Sequence, residues 1–237
     1  MGKYRFLLGL LAVLFGSLFL DANKAIVQAK ENDKKTLIIY FSMSNTTKEA
    51  DFYFITFKEK NFTESHPFSV ASAPSEKADE VIFMIHKTGD FTQKIGQIKR
   101  GTKVSLEGPF GLFDRYVKSA KGPVILYGLG TGVAPLFSLA LEYAEQKPIH
   151  LIWSTNGQML TGYYQEMLAR LQKTKVKLDV KQHRFTPDEL RQKLTAEELK
   201  TGLVVVVGSA PVVLQVEQTL KAVGFSEKQI LDERLTM

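Results

Sequence analysis

The second half of the chain sets the narrowest limit on its fold. From Pro123 onward, apolar runs alternate with amphipathic stretches. Val124–Tyr127, Ile149–Ser154, Lys177–Val180 and the almost pure valine run Leu203–Val207 read as strands; Ala134–Gln146, Met159–Gln172, Pro187–Lys193 and Pro211–Val223 read as helices. A strand apolar along its whole length needs cover on both faces, and alternation with helices supplies it as a parallel sheet with helices on either side. Gly224 stands where a glycine closes the last helix. Before this region the pattern is all strand: Thr36–Ser42, Phe52–Phe57, Pro67–Ser72, Glu80–His86 and Lys103–Glu107, separated by turn residues. The boundary between the two halves falls near Phe113–Gly122, and there is no internal repeat.

Composition narrows the function. At 237 residues, 44% apolar and 24% charged, the chain suits one or two domains with a real core. The net charge of +6 comes mostly from scattered lysines, so nucleic acid is not an expected partner, whereas an anionic dinucleotide or an anionic membrane surface suits it. There is no Cys, which excludes disulfides, thiolate catalysis and cysteine-held zinc or iron–sulfur sites. His66, His86, His150 and His183 lie far apart with no ligand spacing, so no metal site is expected.

The N-terminus differs from the rest. Lys3 and Arg5 precede an uncharged apolar stretch, Phe6 to Leu20. That length suits a signal-peptide core better than a full span, which needs about 20 residues. The small-residue cleavage site is poor, with Asn23-Lys24-Ala25 the nearest candidate, so an uncleaved anchor is the other reading. The protein is therefore expected to be membrane-associated or exported through residues 6–20. Lys24, Lys30, Lys34 and Lys35 compete with Lys3 and Arg5 and leave the topology open. The expected layout is 1–25 signal or anchor, 26–50 linker and an opening strand, 51–115 a β domain, and 116–237 an α/β nucleotide-binding domain.

Four motifs follow in fixed order. His66-Pro67-Phe68-Ser69 lies on a strand, where an aromatic face and a hydroxyl could meet a flat ring; by itself it reads as an ordinary strand with Phe68 in the core. Gly89-Asp90-Phe91-Thr92 opens a short helix, a place for phosphate or simply a capped turn. Gly128-Leu129-Gly130-Thr131-Gly132-Val133-Ala134-Pro135 joins a strand to a helix, the context in which a glycine loop takes a nucleotide phosphate. Val207-Gly208-Ser209-Ala210-Pro211 ends the valine strand.

Together these motifs resemble the flavin reductase modules of the ferredoxin–NADP reductase superfamily, most nearly the soluble domain of ferric reductases and NADPH oxidases, over residues 51–237. The resemblance implies a Greek-key β barrel for FAD followed by an α/β parallel-sheet domain for NAD(P)H. It implies that His66, Pro67, Phe68, Ser69, Gly89 and Thr92 hold the flavin. Gly128, Gly130, Thr131, Gly132, Pro135 and Gly208 would hold the nicotinamide dinucleotide. Ser69 and Gly208 stand at the hydride-transfer point, and Leu235 at the place of an aromatic that covers the flavin. The implied reaction passes hydride from NAD(P)H to FAD and electrons on to a haem, iron or quinone-like acceptor in another chain.

The pattern breaks in three places. The family's Cys-Gly-Pro is Val207-Gly208-Ser209 here, and its terminal aromatic is Leu235. Only Thr36–Asn45 precedes Phe52 where two barrel strands are expected, so the barrel reads as incomplete. The stretch from Lys35 to Lys48 also resembles the opening strand and phosphate loop of a flavodoxin; the alternative is a divergent barrel strand. These departures support a second reading, a non-catalytic remnant with at most nucleotide binding. No Arg or Lys follows Trp153 closely, which leans toward NADH, with Ser154, Thr155 and Asn156 at the adenosine ribose.

Overall fold

The computed structural model describes residues 19–20, 28–31, 36–42, 52–60, 62–73, 75, 80–155 and 162–235. The expectations for residues 6–18, the candidate cleavage site at 23–25, the hydroxyl-rich turn at 43–48, Asn156 and the start of the helix expected from Met159 fall outside these residues.

Among the described residues seven strands form the first half: β1 (Phe19–Leu20), β2 (Gln28–Glu31), β3 (Thr36–Ser42), β4 (Phe52–Phe57), β5 (His66–Ser69), β6 (Glu80–His86) and β7 (Val104–Phe110). They make two antiparallel sheets, β1-β7-β4-β5 and β2-β3-β6, tied by a bridge between Val70 and Phe83. β4 alternates, with Tyr53, Ile55 and Phe57 buried, as a sheet with one face on a core must. β6 does not alternate, and the reason is tertiary. Val81, Phe83 and Ile85 enter the β-domain core with Tyr53 and Phe57, while Ile82 and Met84 join a second core with Phe137 and Leu139.

Two expectations are corrected. β3 lies antiparallel between β2 and β6, whereas a flavodoxin's opening strand runs in a parallel sheet; Thr36–Ser42 is a strand of the β domain. The deficit of strands before Phe52 is likewise not found, because β2 and β3 supply two. β2, Gln-Ala-Lys-Glu, carries almost no apolar signal, which is why it read as linker.

The second half is a five-stranded parallel sheet. β8 (Val124–Leu129), β9 (Ile149–Thr155), β10 (Lys177–Gln182), β11 (Leu203–Ser209) and β12 (Ile230–Leu235) stand in the order β10-β9-β8-β11-β12. Helices α3 (Ala134–Tyr143), α4 (Gly162–Leu171), α5 (Pro187–Lys193), α6 (Ala196–Thr201) and α7 (Ala210–Val223) connect and cover it, after α1 (Asp90–Lys94) and α2 (Phe113–Ser119) earlier in the chain. Val205 and Val207 pack into one layer and Val204 and Val206 into the other, so the valine run is buried on both sides. Gly224 closes α7 at φ 127°, donating its N–H to Leu220 and Lys221.

The halves share a core. Ile38, Ala71, Ile82 and Met84 cluster with Phe113, Leu136 and Phe137. At its edge Ser138 on α3 donates to the Ser72 carbonyl at 2.8 Å, and the Ser72 hydroxyl accepts the Ile82 N–H at 3.0 Å. α2, placed in the expected boundary region, is anchored by the Tyr143 hydroxyl donating to buried Asp114 at 2.6 Å.

Candidate functional site

All five strands of the parallel sheet point the same way, and the chain leaves β8 for β9 on one side and enters β11 on the other. Brought together at their carboxyl ends is a crevice of the kind where open α/β sheets bind ligands. It is a cleft of about 370 Å³. Gly130 and Thr131 line it from the loop after β8, Ser154 and Thr155 from β9, Ser209 and Leu235 from the ends of β11 and β12. His86, at the end of β6 in the β domain, also reaches it, so the cleft lies where the two halves meet. The loop carrying Gly89 and Thr92 follows directly on His86.

The glycines of the loop after β8 do different work. An added Cβ on Gly132 would stand 2.3 Å from the Val207 carbonyl oxygen, and one on Gly128 2.9 Å from Val133 Cα. These two let the loop lie against β11 and fold onto β8. Gly130 is unlike them: φ is +59° and a Cβ there would meet nothing within 4 Å. Its missing side chain leaves room in the cleft, while its carbonyl accepts the Trp153 indole N–H at 2.9 Å and fixes the loop. The chain continues through a 3-10 turn, Gly130–Val133, into α3, with Pro135 in the first turn where its missing N–H costs nothing. Gly208 proves to be a packing position as well, since a Cβ there would lie 2.6 Å from the Leu129 Cβ.

One residue the sequence did not offer is Arg184. It lines the cleft with His183 just beyond β10. His183 takes φ 69°, the left-handed region that costs a side-chain-bearing residue, and donates its N–H to the Thr155 carbonyl at 2.9 Å. On the other side the Phe185 N–H reaches the buried Tyr127 hydroxyl at 3.4 Å, itself 3.1 Å from Ser154 Oγ. Burial raises the Tyr127 pKa, its bonds to Ser154 and Phe185 opposing. Arg184 is thus held between two anchored neighbours, beside the end of β9. Its distance from Trp153 in sequence hid it; the only available signal was a basic pair ending a strand.

The first two motifs sit close together in the β domain. β5 pairs with β4 so that Phe68 lies opposite Tyr53 and Ser69 opposite Phe52. Phe68 and His66 therefore face one side and Ser69 and Pro67 the other. A ring that meets both Phe68 and Ser69 has to sit at the strand's edge. Phe91, passed over in the sequence, stacks on Phe68 at 6.4 Å and 22° and lies 3.9 Å from the His66 ring. His66 also contacts Glu64 at 3.0 Å. The Thr92 hydroxyl accepts the N–H groups of Thr88 and Gly89 at 3.0 Å each and donates to the Gly89 carbonyl; it holds its own loop in shape.

Comparison with known proteins agrees with this geometry. Residues 22–113 match the FAD-binding domain family model, a stretch that begins well before residue 51. The chain is 36% identical over 86 residues to the toluate 1,2-dioxygenase electron transfer component of Pseudomonas putida, covering 33% of this chain and 24% of that protein. It is 33% identical over 85 residues to ferric reduction oxidase 5 of Arabidopsis thaliana, covering 34% and 12%. In three dimensions it superimposes on a ferredoxin NADP+ reductase from Neisseria gonorrhoeae with bound FAD and NADP at TM-score 0.70 and 18% identity, over 89% of this chain and 97% of that one. The matched stretch spans a quarter to a third of the first curated relatives' length. The fold is the two-domain, ferredoxin–NADP reductase-like fold. Among the described residues no helix is long and apolar enough to cross a membrane.

Proposed function

We propose that the protein is a flavin-dependent NAD(P)H oxidoreductase that delivers electrons to a haem, iron or other acceptor in another chain. The carrying observation is the cleft: it lies at the carboxyl ends of β8 and β11, opens at Gly130, is flanked by Arg184, and is reached by His86 from the FAD-binding half. The residues fit a dinucleotide. Gly130 leaves the space a Cβ would fill, Thr131 and Ser209 offer hydroxyls at the starts of the helical segments after β8 and β11, where orphan N–H groups favour phosphate, and Arg184 suits a 2′-phosphate. The cation beside β9 moves the expected preference from NADH toward NADPH.

FAD would be held by the His66–Ser69 strand and the Gly89–Thr92 loop, with Phe91 backing Phe68; when bound, it supplies the hydride-accepting and electron-releasing chemistry. The chain's own part is positioning. The loop glycines set the dinucleotide's depth, Leu129 packs against Gly208 to shape the floor beside β11, and Leu235 closes the rim. We also propose a FAD-binding unit that includes β2 and β3, a nucleotide unit from α2 onward, and membrane association through residues 6–20.

The non-catalytic reading now rests on Val207 and Leu235, since the missing strands are found. Both readings meet one experiment. The protein is purified with added FAD, freed of unbound flavin, and its visible spectrum recorded before and after anaerobic NADPH or NADH. Bound flavin that bleaches is expected. Bound flavin that no nicotinamide bleaches would leave a binding module, and absence of flavin would refute the assignment of FAD to the β domain.

A further inference from the structure

The β domain carries a second apolar surface on the side away from its core. Alternation along β4 turns Phe52, Phe54 and Thr56 outward. Phe52 lies opposite Phe110 of β7, their rings stacked at 5.6 Å, and Phe54 closes the trio edge-on, 5.6 Å from Phe110 and 5.9 Å from Phe52. All three are only half-buried. Directly after Phe110 the chain enters α2, whose Phe113 and Val117 are buried while Leu112 and Tyr116 are 46% and 44% exposed. Leu112 and Tyr116, four residues apart, share a face of the helix.

Charge follows the same division. Arg115, Lys118 and Lys121, in and just after α2, are exposed, while the one acid of α2, Asp114, is turned inward to the Tyr143 hydroxyl. Glu107, opposite Phe54, is an acid at the edge of the trio among the described residues. An exposed face that mixes aromatic, leucine and basic side chains has the chemistry of a membrane interface: amphipathic rings sit at headgroup depth and cations meet anionic lipid. The direction of β1 adds an independent observation. It runs antiparallel to β7, Phe19 opposite Glu107 and Leu20 opposite Leu106, so the chain enters the sheet from the Phe110 end. The sequence before Phe19 is the uncharged apolar run from Phe6.

We propose that this face, Phe52, Phe54 and Phe110 with Leu112, Arg115 and Tyr116, seats the protein on an anionic lipid bilayer. The apolar N-terminal run and the folded domain then meet the bilayer at one end of β7, which fixes the orientation of the FAD-binding unit on the surface. Binding of this kind is read without turnover, so it stands or falls apart from the reductase reading.

The cysteine-free chain makes the test direct. Single substitutions Leu112→Cys, Tyr116→Cys and, as a distant control on β10, Val180→Cys are introduced into the full-length protein and labelled with an environment-sensitive fluorophore. Vesicles of phosphatidylcholine, with and without 30% phosphatidylglycerol, are then added. Labels at 112 and 116 are expected to shift to the blue and brighten with anionic vesicles while the label at 180 stays in water. The double variant R115E/K121E should bind anionic vesicles at least ten-fold more weakly, with its thermal melt unchanged as a check on folding. Vesicle binding in which the 112 and 116 labels remain in water would overturn the proposal and leave the N-terminal run as sole anchor. A shift that depends on protein concentration and needs no lipid would overturn it in favour of self-association.

Discussion

Exchanging alanine for two glycines two residues apart in the loop after β8 should produce opposite phenotypes. In Gly132→Ala the new methyl would lie 2.3 Å from the Val207 carbonyl oxygen, 2.6 Å from its carbon and 2.9 Å from Gly208 Cα. All three are backbone atoms of a buried central strand, so no side chain can swing away and the loop itself must retreat. Overpacking of this kind costs about 1–3 kcal/mol and more where nothing yields; the rigid neighbour puts this case near or above 3 kcal/mol. For a domain of this size about 1 kcal/mol moves the melting temperature by roughly 2–4 °C, so a fall of about 6–12 °C follows. Gly130→Ala meets nothing within 4 Å, and only its φ of +59° is unfavourable, a cost of about 1–2 kcal/mol, or roughly 2–8 °C by the same conversion. Its methyl, however, enters the cleft. Differential scanning fluorimetry and NADPH titration on both variants separate the effects. Gly132→Ala should lose most stability, and Gly130→Ala should keep its fold and lose nucleotide affinity. Should Gly130→Ala bind NADPH as tightly as the parent, the loop after β8 does not cradle the dinucleotide.

Three further outcomes are expected. Arg184→Gln removes a charge-assisted bond worth about 1.5–3 kcal/mol, so NADPH affinity should fall roughly 10- to 150-fold with NADH little changed; an equal loss for both cofactors would show that Arg184 does not meet the 2′-phosphate. His150, on β9, is buried with Nδ1 2.7 Å from Glu198 and Nε2 2.9 Å from Asp179, which Lys193 also holds at 2.6 Å. Burial would raise both carboxyl groups, but hydrogen bonds from His150 and, at Asp179, from Lys193 outweigh it: Asp179 is lowered and Glu198 reaches about 2. Groups depressed in the folded state stabilise it above their unfolded pKa and lose that contribution as pH falls through the folded one. Stability should therefore drop from about pH 4.5 down to 2, and Glu198→Gln should flatten that part of a pH–melting profile; an unaltered slope would place the acid-sensitive group elsewhere. Phe91→Ala strips the ring that backs Phe68 and His66, and equilibrium dialysis should show weaker FAD retention than in the parent.

What the sequence alone determined was whatever local pattern controls. The valine run could only be a strand covered on both faces, Pro187–Lys193 read as a helix, and glycines between a strand and a helix could only mark a turn where backbone must come close. Those local rules delivered the parallel sheet, the glycine loop after β8 and the likeness to flavoreductases. They did not deliver β2, whose Gln-Ala-Lys-Glu carries no apolar periodicity and becomes a strand only because β3 offers an edge to pair with. Nor could they assign Gly208, since its missing side chain is required by Leu129 from another strand. Arg184 and His86 belong to the cleft for the same reason. The first is delivered by a left-handed residue at the end of β10, the second by a domain interface, and proximity in space between segments distant in the chain leaves no mark on the composition of either segment.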